Sequence, residues 1–177
     1  MEHCRAILVR RVRWSETSLI VTWMTDHFGT VQTLARGALR PKSGFAGKLD
    51  IFHRAEISFS PSRRSTLHTL HEVVLQGIPQ AFPYKRLVLA SYFAELAASA
   101  SPTMQPAHDV WDLLHRALEH LAGVDVSLRA LPHFECELAK ILGVWHEDAG
   151  IAPHAAIAGL FGGVLPRTRG EAVAAGG

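Results

Sequence analysis

Between Arg5 and Leu75, apolar and polar residues alternate with the period of two that marks half-buried strands, in short runs parted by turn chemistry. In Arg5-Ala-Ile-Leu-Val-Arg-Arg-Val-Arg13, Ile7 and Val9 share one face and Ala6 and Leu8 the other. Thr17–Thr25 is rich in β-branched residues, and Asp26-His-Phe-Gly29 predicts a hairpin turn into Thr30–Arg36. Ile51–Phe59, a turn over Ser60–Ser65 and the alternating Thr66–Leu75 follow. Five strands in about seventy residues predict a small closed barrel.

Beyond Pro79 the period changes. Pro83–Ala98 places Leu87, Ala90, Ala94 and Leu96 near one stripe, and Pro83 suits a first helical turn. Pro106–Ala122, with Val110, Leu113, Leu114, Ala117, Leu118 and Leu121 on one face, predicts a second helix ended by Gly123. Pro132–Leu142 predicts a third, capped by Gly143; a proline deeper inside would cost about 3 kcal/mol. The tail from Val144 holds seven of the chain's fourteen glycines and no clear period. Ala155–Val164 fits either a short apolar helix or a packed loop, and Glu171–Gly177 is expected to fray. The reading is thus of two domains: 1–80, a barrel, and 81–177, a helical domain with a loop-like tail from about 144.

Charge sharpens this division. The formal net charge is only +2, yet Met1–Arg86 holds thirteen Lys and Arg against six Asp and Glu, whereas Leu87–Gly177 holds five against ten. The basic half calls for an anionic partner. Cys4 and Cys136 lie far apart and predict buried thiols in a reducing compartment rather than a disulfide framework. No run approaches the ~20 apolar residues of a membrane helix, and the start lacks the apolar stretch of a signal peptide. The expected location is the cytoplasm.

The densest positive charge falls between the third and fourth strands, in Ala35-Arg-Gly-Ala-Leu-Arg-Pro-Lys-Ser-Gly-Phe-Ala-Gly-Lys-Leu49, which has no acid. Arg36, Arg40, Lys42 and Lys48 supply charge, Ser43 a hydroxyl, and Gly37, Gly44 and Gly47 a flexible backbone whose N–H groups would be open to an anion. Such a loop suits phosphates held with little sequence preference. Arg10, Arg11 and Arg13 on the first strand and Arg63 and Arg64 in the last turn would extend the patch if the barrel brings them together. Trp14, Trp23, Phe28, Phe45, Phe52 and Phe59 are able to stack on bases, but most are expected in the core, with Phe45 in the basic loop the exception.

The order Ala6-Ile-Leu-Val-Arg10, Glu16–Thr22, Thr25-Asp-His-Phe-Gly29, Ala35–Ser43 and Gly47–Phe52, followed by Ala90–Leu96 in the helical half, resembles the bacterial RecO family of DNA repair and recombination mediator proteins, over Arg5 to Gly143. The resemblance implies an α+β fold, with an N-terminal five-stranded OB-fold β-barrel followed by a C-terminal α-helical domain. It implies binding to single- and double-stranded DNA, annealing of complementary strands, and partnership with RecR and the C-terminal tail of single-strand binding protein, so that RecA is loaded. A cytoplasmic, nucleoid-associated protein is implied. It places Arg36, Gly37, Arg40, Lys42 and Ser43 on the DNA-binding side; Arg13, Phe45 and Lys48 complete the candidate set. Two departures stand out. Many members carry two Cys-x-x-Cys pairs that form a zinc site, but here Pro166 and Arg169 stand where cysteines are expected, so no metal site is expected. Members are also usually longer.

Other constellations are weaker. His133 and Cys136 are three apart on one helical face, a possible ligand pair, but one cysteine among scattered histidines is a poor metal signal. There is no Gly-x-Ser-x-Gly elbow, no Gly-x-x-x-x-Gly-Lys-Ser/Thr loop and no His-Glu-x-x-His. The chain is therefore expected not to be an enzyme and to need no cofactor. The competing reading is a protein-interaction adaptor whose basic barrel receives an acidic partner, with DNA binding weak or lost.

Overall fold

In the computed structural model, which describes residues 1–77, 81–123 and 129–176, the five expected strands form as β1 (Glu2–Arg13), β2 (Leu19–Thr25), β3 (Gly29–Ala35), β4 (Arg54–Ser60) and β5 (Leu67–Leu75). They close in the order β1-β2-β3-β5-β4, with β3 and β5 parallel and all other pairs antiparallel, the five-stranded barrel of an OB-fold. The core is the inward set that period two demands: Ala6 and Leu8 from β1, Leu19, Val21 and Trp23 from β2, Val31 and Ala35 from β3, Ala55, Ile57 and Phe59 from β4, and Leu70 and Val73 from β5. Trp23 is fully buried and donates its indole N–H to Thr33 Oγ1 at 2.8 Å, so its polar atom is satisfied inside.

The hairpin between β2 and β3 is tied down on both sides. Asp26 is buried, accepting from the Arg5 backbone N–H at 3.1 Å and from Arg5 Nε at 2.9 Å. Gly29 has φ +59°, and its neighbour Thr30 donates its N–H to Pro102 O at 3.1 Å. A Cβ on Gly29 would overlap the carbonyl oxygens of Pro102 and Gln105, so both dihedral and space demand glycine there.

Contacts divide the chain into two units. The first takes Met1–Gln80 with Ser101–Trp111, the second Ala81–Ala100 with Asp112–Gly177. The expected break near Pro79 lies outside the described residues. The helices are α1 (Tyr84–Ala100), α2 (His108–Ala122), α3 (Ala130–Ile141), α4 (Pro153–Leu160) and α5 (Thr168–Gly176). α1 buries Val88, Leu89, Tyr92, Phe93 and Leu96, on more than one side, as a central helix does. Pro132 falls in the first turn of α3, and Gly143, at φ +69°, ends that helix while Val144 donates back to Ala139 O at 3.1 Å.

The tail departs from expectation. Rather than fraying, Glu171–Gly176 belongs to α5, which packs on α1 with Ala172 fully buried. The reason is tertiary. Buried Glu135 on α3 accepts from Arg169 Nε at 2.7 Å and Nη2 at 3.2 Å and from the Tyr92 hydroxyl at 2.8 Å, while Thr168 Oγ1 donates to Glu95 at 2.6 Å. Burial and the adjacent Glu135 carboxylate push the Tyr92 hydroxyl's pKa up, so it remains a donor. A weakly amphipathic helix is thereby held by two hydrogen bonds from Arg169 to Glu135 and one from Thr168 to Glu95.

Gly29→Ala is expected to destabilise the protein by about 2 kcal/mol or more in urea unfolding, because strain at positive φ adds to overlap with backbone that has no room to move. Ala substituted at Gly44, beside open space and without positive φ, is the matched control and is expected to be neutral.

Candidate nucleic-acid interface

The segment from Arg36 to His53, expected to be flexible, is wound into successive tight turns. Ala38, Arg40, Ser43, Ala46 and Lys48 each donate their N–H to the carbonyl three residues back, at 3.0–3.4 Å. Its apolar residues anchor it: Leu49 sits in the barrel core, and Ala38, Phe45 and Ile51 pack against that core. Polar ties add to this. Leu39 N–H reaches Thr17 O at 2.9 Å, Gly37 N–H reaches Ser18 Oγ at 3.2 Å, and Arg11 Nη1 reaches Leu49 O at 2.7 Å. The spacing of Ala38, Phe45 and Leu49 was the available signal for this order, but glycine content and charge obscured it.

This ordering alters the chemistry available. The Gly37 N–H is already given to Ser18, and the Ser43 hydroxyl accepts from Phe45 N–H at 3.1 Å. Gly44 and Gly47 keep their N–H groups unused among the described residues and face open space. The side chains remain outside: Arg36, Arg40 and Lys42 are exposed and Lys48 half-exposed, and none has a carboxylate partner among the described residues.

The other basic residues divide by position. Arg5 is spent on Asp26 and lies over the Trp111 ring at 4.8 Å. Arg11 faces Asp50 at 3.2 Å and serves the loop's backbone. Arg13 turns its guanidinium onto the carbonyls of Ser15 and Glu16, at 3.1 and 3.3 Å. Register places Arg13 opposite Leu19 and Leu19 opposite Ala35, so Arg13 and Arg36 stand at the same rim, where the turn residues Thr17 and Ser18 bond Leu39 and Gly37. Arg63 and Arg64 do not join them. Leu67 pairs with Gln32 in the parallel β3–β5 ladder, which puts their turn beyond the opposite end of β3. The patch is therefore a cluster at one rim and a second, smaller one across the strands.

The aromatic residues also sort. Trp23 and Phe59 are fully buried, Phe52 is buried, and Phe28 and Phe45 pack on the core. Trp14, grouped by sequence with residues expected mostly inside, is 62% exposed on the β1–β2 turn. The clue was its place at the end of a strand, between Arg13 and Ser15-Glu16-Thr17, beyond the last alternating position.

In the second unit, a cavity of about 780 Å³ is lined by Phe93, Leu113, Ala117 and Phe134, with Arg116, Arg129, His120, His133 and Cys136 beside them. His133 and Cys136 gain no third ligand: among the described residues no group of three or more His, Cys, Asp or Glu is placed to hold a metal. Nor do the residues at the expected zinc position fit that ion. Pro166 has no donor side chain, and Arg169 is a cation held on Glu135. Among the described residues, no helix is long and apolar enough to cross a membrane.

Residues 1–78 match the family model described as Recombination protein O N terminal, and residues 82–145 the model described as Recombination protein O C terminal. Among curated proteins, the chain is 31% identical over 142 residues to DNA repair protein RecO of Rhodopirellula baltica, covering 78% of this chain and 52% of that protein. It is 32% identical over 150 residues to DNA repair protein RecO of Idiomarina loihiensis, covering 82% and 63%. The matches span about half to three-fifths of those relatives' length.

Arg11→Met, which removes the donor to Leu49 O, is expected to speed tryptic cleavage after Lys42 several-fold while lowering stability by only about 1 kcal/mol, since the Asp50 pair is exposed. Timed digestion with mass analysis of the fragments checks this; a loop that is cut as fast in the wild type as in the variant is not held by Arg11.

Proposed function

The chain belongs to the RecO family of DNA repair proteins, and we propose that it acts as a recombination mediator that binds single- and double-stranded DNA and anneals complementary strands. With RecR it helps load RecA on strands coated by single-strand binding protein. The observation that carries this reading is the basic loop: Arg36, Arg40, Lys42 and Lys48 project from a segment anchored in the barrel, with no carboxylate among the described residues to neutralise them. Holding a cluster of like charges unpaired costs stability through self-repulsion, and a polyanion removes that cost. Annealing requires phosphate charge to be neutralised and two strands aligned, with no bond made or broken, so no catalytic group is assigned. Arg13 and Ser43 flank the phosphate-binding residues, Gly37 adopts the positive φ of +69° that its turn requires, and Phe45 supports the loop from inside.

The helical unit is assigned the protein partners. Its cavity has an apolar floor of Phe93, Leu113 and Phe134 and cationic residues Arg116 and Arg129, a chemistry that suits the C-terminal tail of single-strand binding protein if that tail offers acidic and apolar side chains together. The adaptor reading, in which the basic barrel takes an acidic protein, makes the opposite prediction for DNA.

Anisotropy titration of a labelled single-stranded oligonucleotide at several salt concentrations separates them. Four phosphate contacts give a log–log slope of about −3, and changing Arg36, Arg40 and Lys42 together to Ala flattens it by about two units. Absence of salt-sensitive binding by the wild type at low salt sinks the mediator reading and favours the adaptor.

A thiol reagent tests the second site. Burial and the nearby Asp26 and Glu2 carboxylates push the Cys4 pKa up to about 12, so that thiol stays protonated and inert, whereas Cys136 is half-exposed beside the cavity. One alkylation per native chain is expected, and a peptide of the partner's tail should slow it at least about fivefold, which corresponds to about 1 kcal/mol of protection. Unchanged labelling under saturating peptide removes the tail from this cavity.

A further inference from the structure

The β1–β2 turn is the place where the barrel leaves a large aromatic side chain outside. β1 pairs with β4 only over Glu2–Ile7, then shifts register between Leu8 and Arg10 and continues to Arg13 paired with β2 alone. Beyond that shift Val12 faces Ile20, and Ile20 faces Leu34, on the side of the sheet away from the inward set Leu19, Val21 and Ala35. Val12 is itself 44% exposed. Trp14 follows two residues on, at the tip, its backbone N–H closing the turn on Ser18 O at 3.0 Å. The turn is therefore a defined shelf, and the indole stands on it with no hydrogen-bond partner for Nε1 among the described residues.

Leaving an indole in water forfeits the burial that stabilises aromatic residues elsewhere in the chain. The rim around it explains what covers it. Arg13 and the exposed Arg36 and Arg40 stand at the same end of the barrel, Leu39 is bonded to the turn through Thr17 O, and the turn itself carries one acid, the exposed Glu16. Glu16 disfavours a phosphate at the tip, so the tip meets the uncharged part of the ligand and the loop meets its charge. Trp14 lines neither the cavity of the helical unit nor the one at His3, Arg5 and Asp26, and its ring projects from the turn. We propose that Trp14 stacks on a base of single-stranded nucleic acid whose phosphates are held by Arg36 and Arg40, which makes this rim selective for unpaired strands.

This inference rests on the DNA-binding reading, and the test separates the two. Anisotropy is measured with a thymidine oligonucleotide and with an abasic oligonucleotide of equal length and charge, for the wild type, Trp14→Ala and Trp14→Phe. The thymidine strand is expected to bind the wild type roughly 5- to 150-fold more tightly than the abasic one. Trp14→Ala should lose that advantage and bind the abasic strand as the wild type does; Trp14→Phe should keep most of it. A Trp14→Ala protein that binds thymidine as tightly as the wild type overturns the stacking role and leaves the phosphate loop standing. Equal loss on both strands overturns it too, since that pattern reports a misfolded rim. Failure of the wild type to bind either strand overturns both readings together.

Discussion

Barrel closure rests on β1 lending both of its edges at once. From Glu2 to Ile7 it is hydrogen-bonded to β4, and from Ala6 onward to β2, so the first dozen residues join the two halves of the sheet. Edge strands invite unwanted pairing, and closure removes them. The price is a register shift between Leu8 and Arg10, where the Leu8 N–H bonds His53 O and the Leu8 carbonyl accepts from Phe52 N–H. A bulge of this kind bends a strand and raises its twist. Beyond it, Arg10 to Arg13 run free of β4, and this release puts Arg13 and Trp14 beside the basic loop rather than over the core.

The same bend organises the charge. Arg11 leaves the barrel on the side of Leu49 and Asp50 and holds the loop from beneath, so that its neighbours Arg36, Arg40 and Lys42 face water on a segment that does not have to be ordered by a ligand. Preorganisation matters because every rotor frozen on binding subtracts from affinity. Basic residues of the first unit thus have two duties. Arg5 and Arg11 are consumed by structure, while the loop's cations are kept from carboxylates.

The helical unit has its own centre in Glu135. A carboxylate that is nearly fully buried needs compensation, and it receives a hydroxyl from Tyr92 and a fork from Arg169, whose guanidinium pKa is raised by that hydrogen bond. Three helices, α1, α3 and α5, meet on one side chain. Arg169, where a cysteine is expected from the resemblance, ties α5 to α3 by this ion pair.

The alternation of residues 5–75, the helical period beyond Pro83 and the proline and glycine stops were legible along the chain, because strand and helix periods reflect local backbone geometry. So was the concentration of cations between β3 and β4. The order of that loop was not, since Phe45 and Leu49 act as anchors only once β1 and β4 close a core for them to enter. Nor was α5 legible, because Ala172 is stabilised by α1 and Arg169 by a carboxylate thirty-four residues away. Sequence by itself determined the five strands, the first three helices and where the unpaired charge lies. Tertiary structure alone decided that Trp14 stands outside, that Arg63 and Arg64 are parted from Arg36, and that Arg11 supports rather than binds, because each depends on a strand register and a pairing partner distant in the chain.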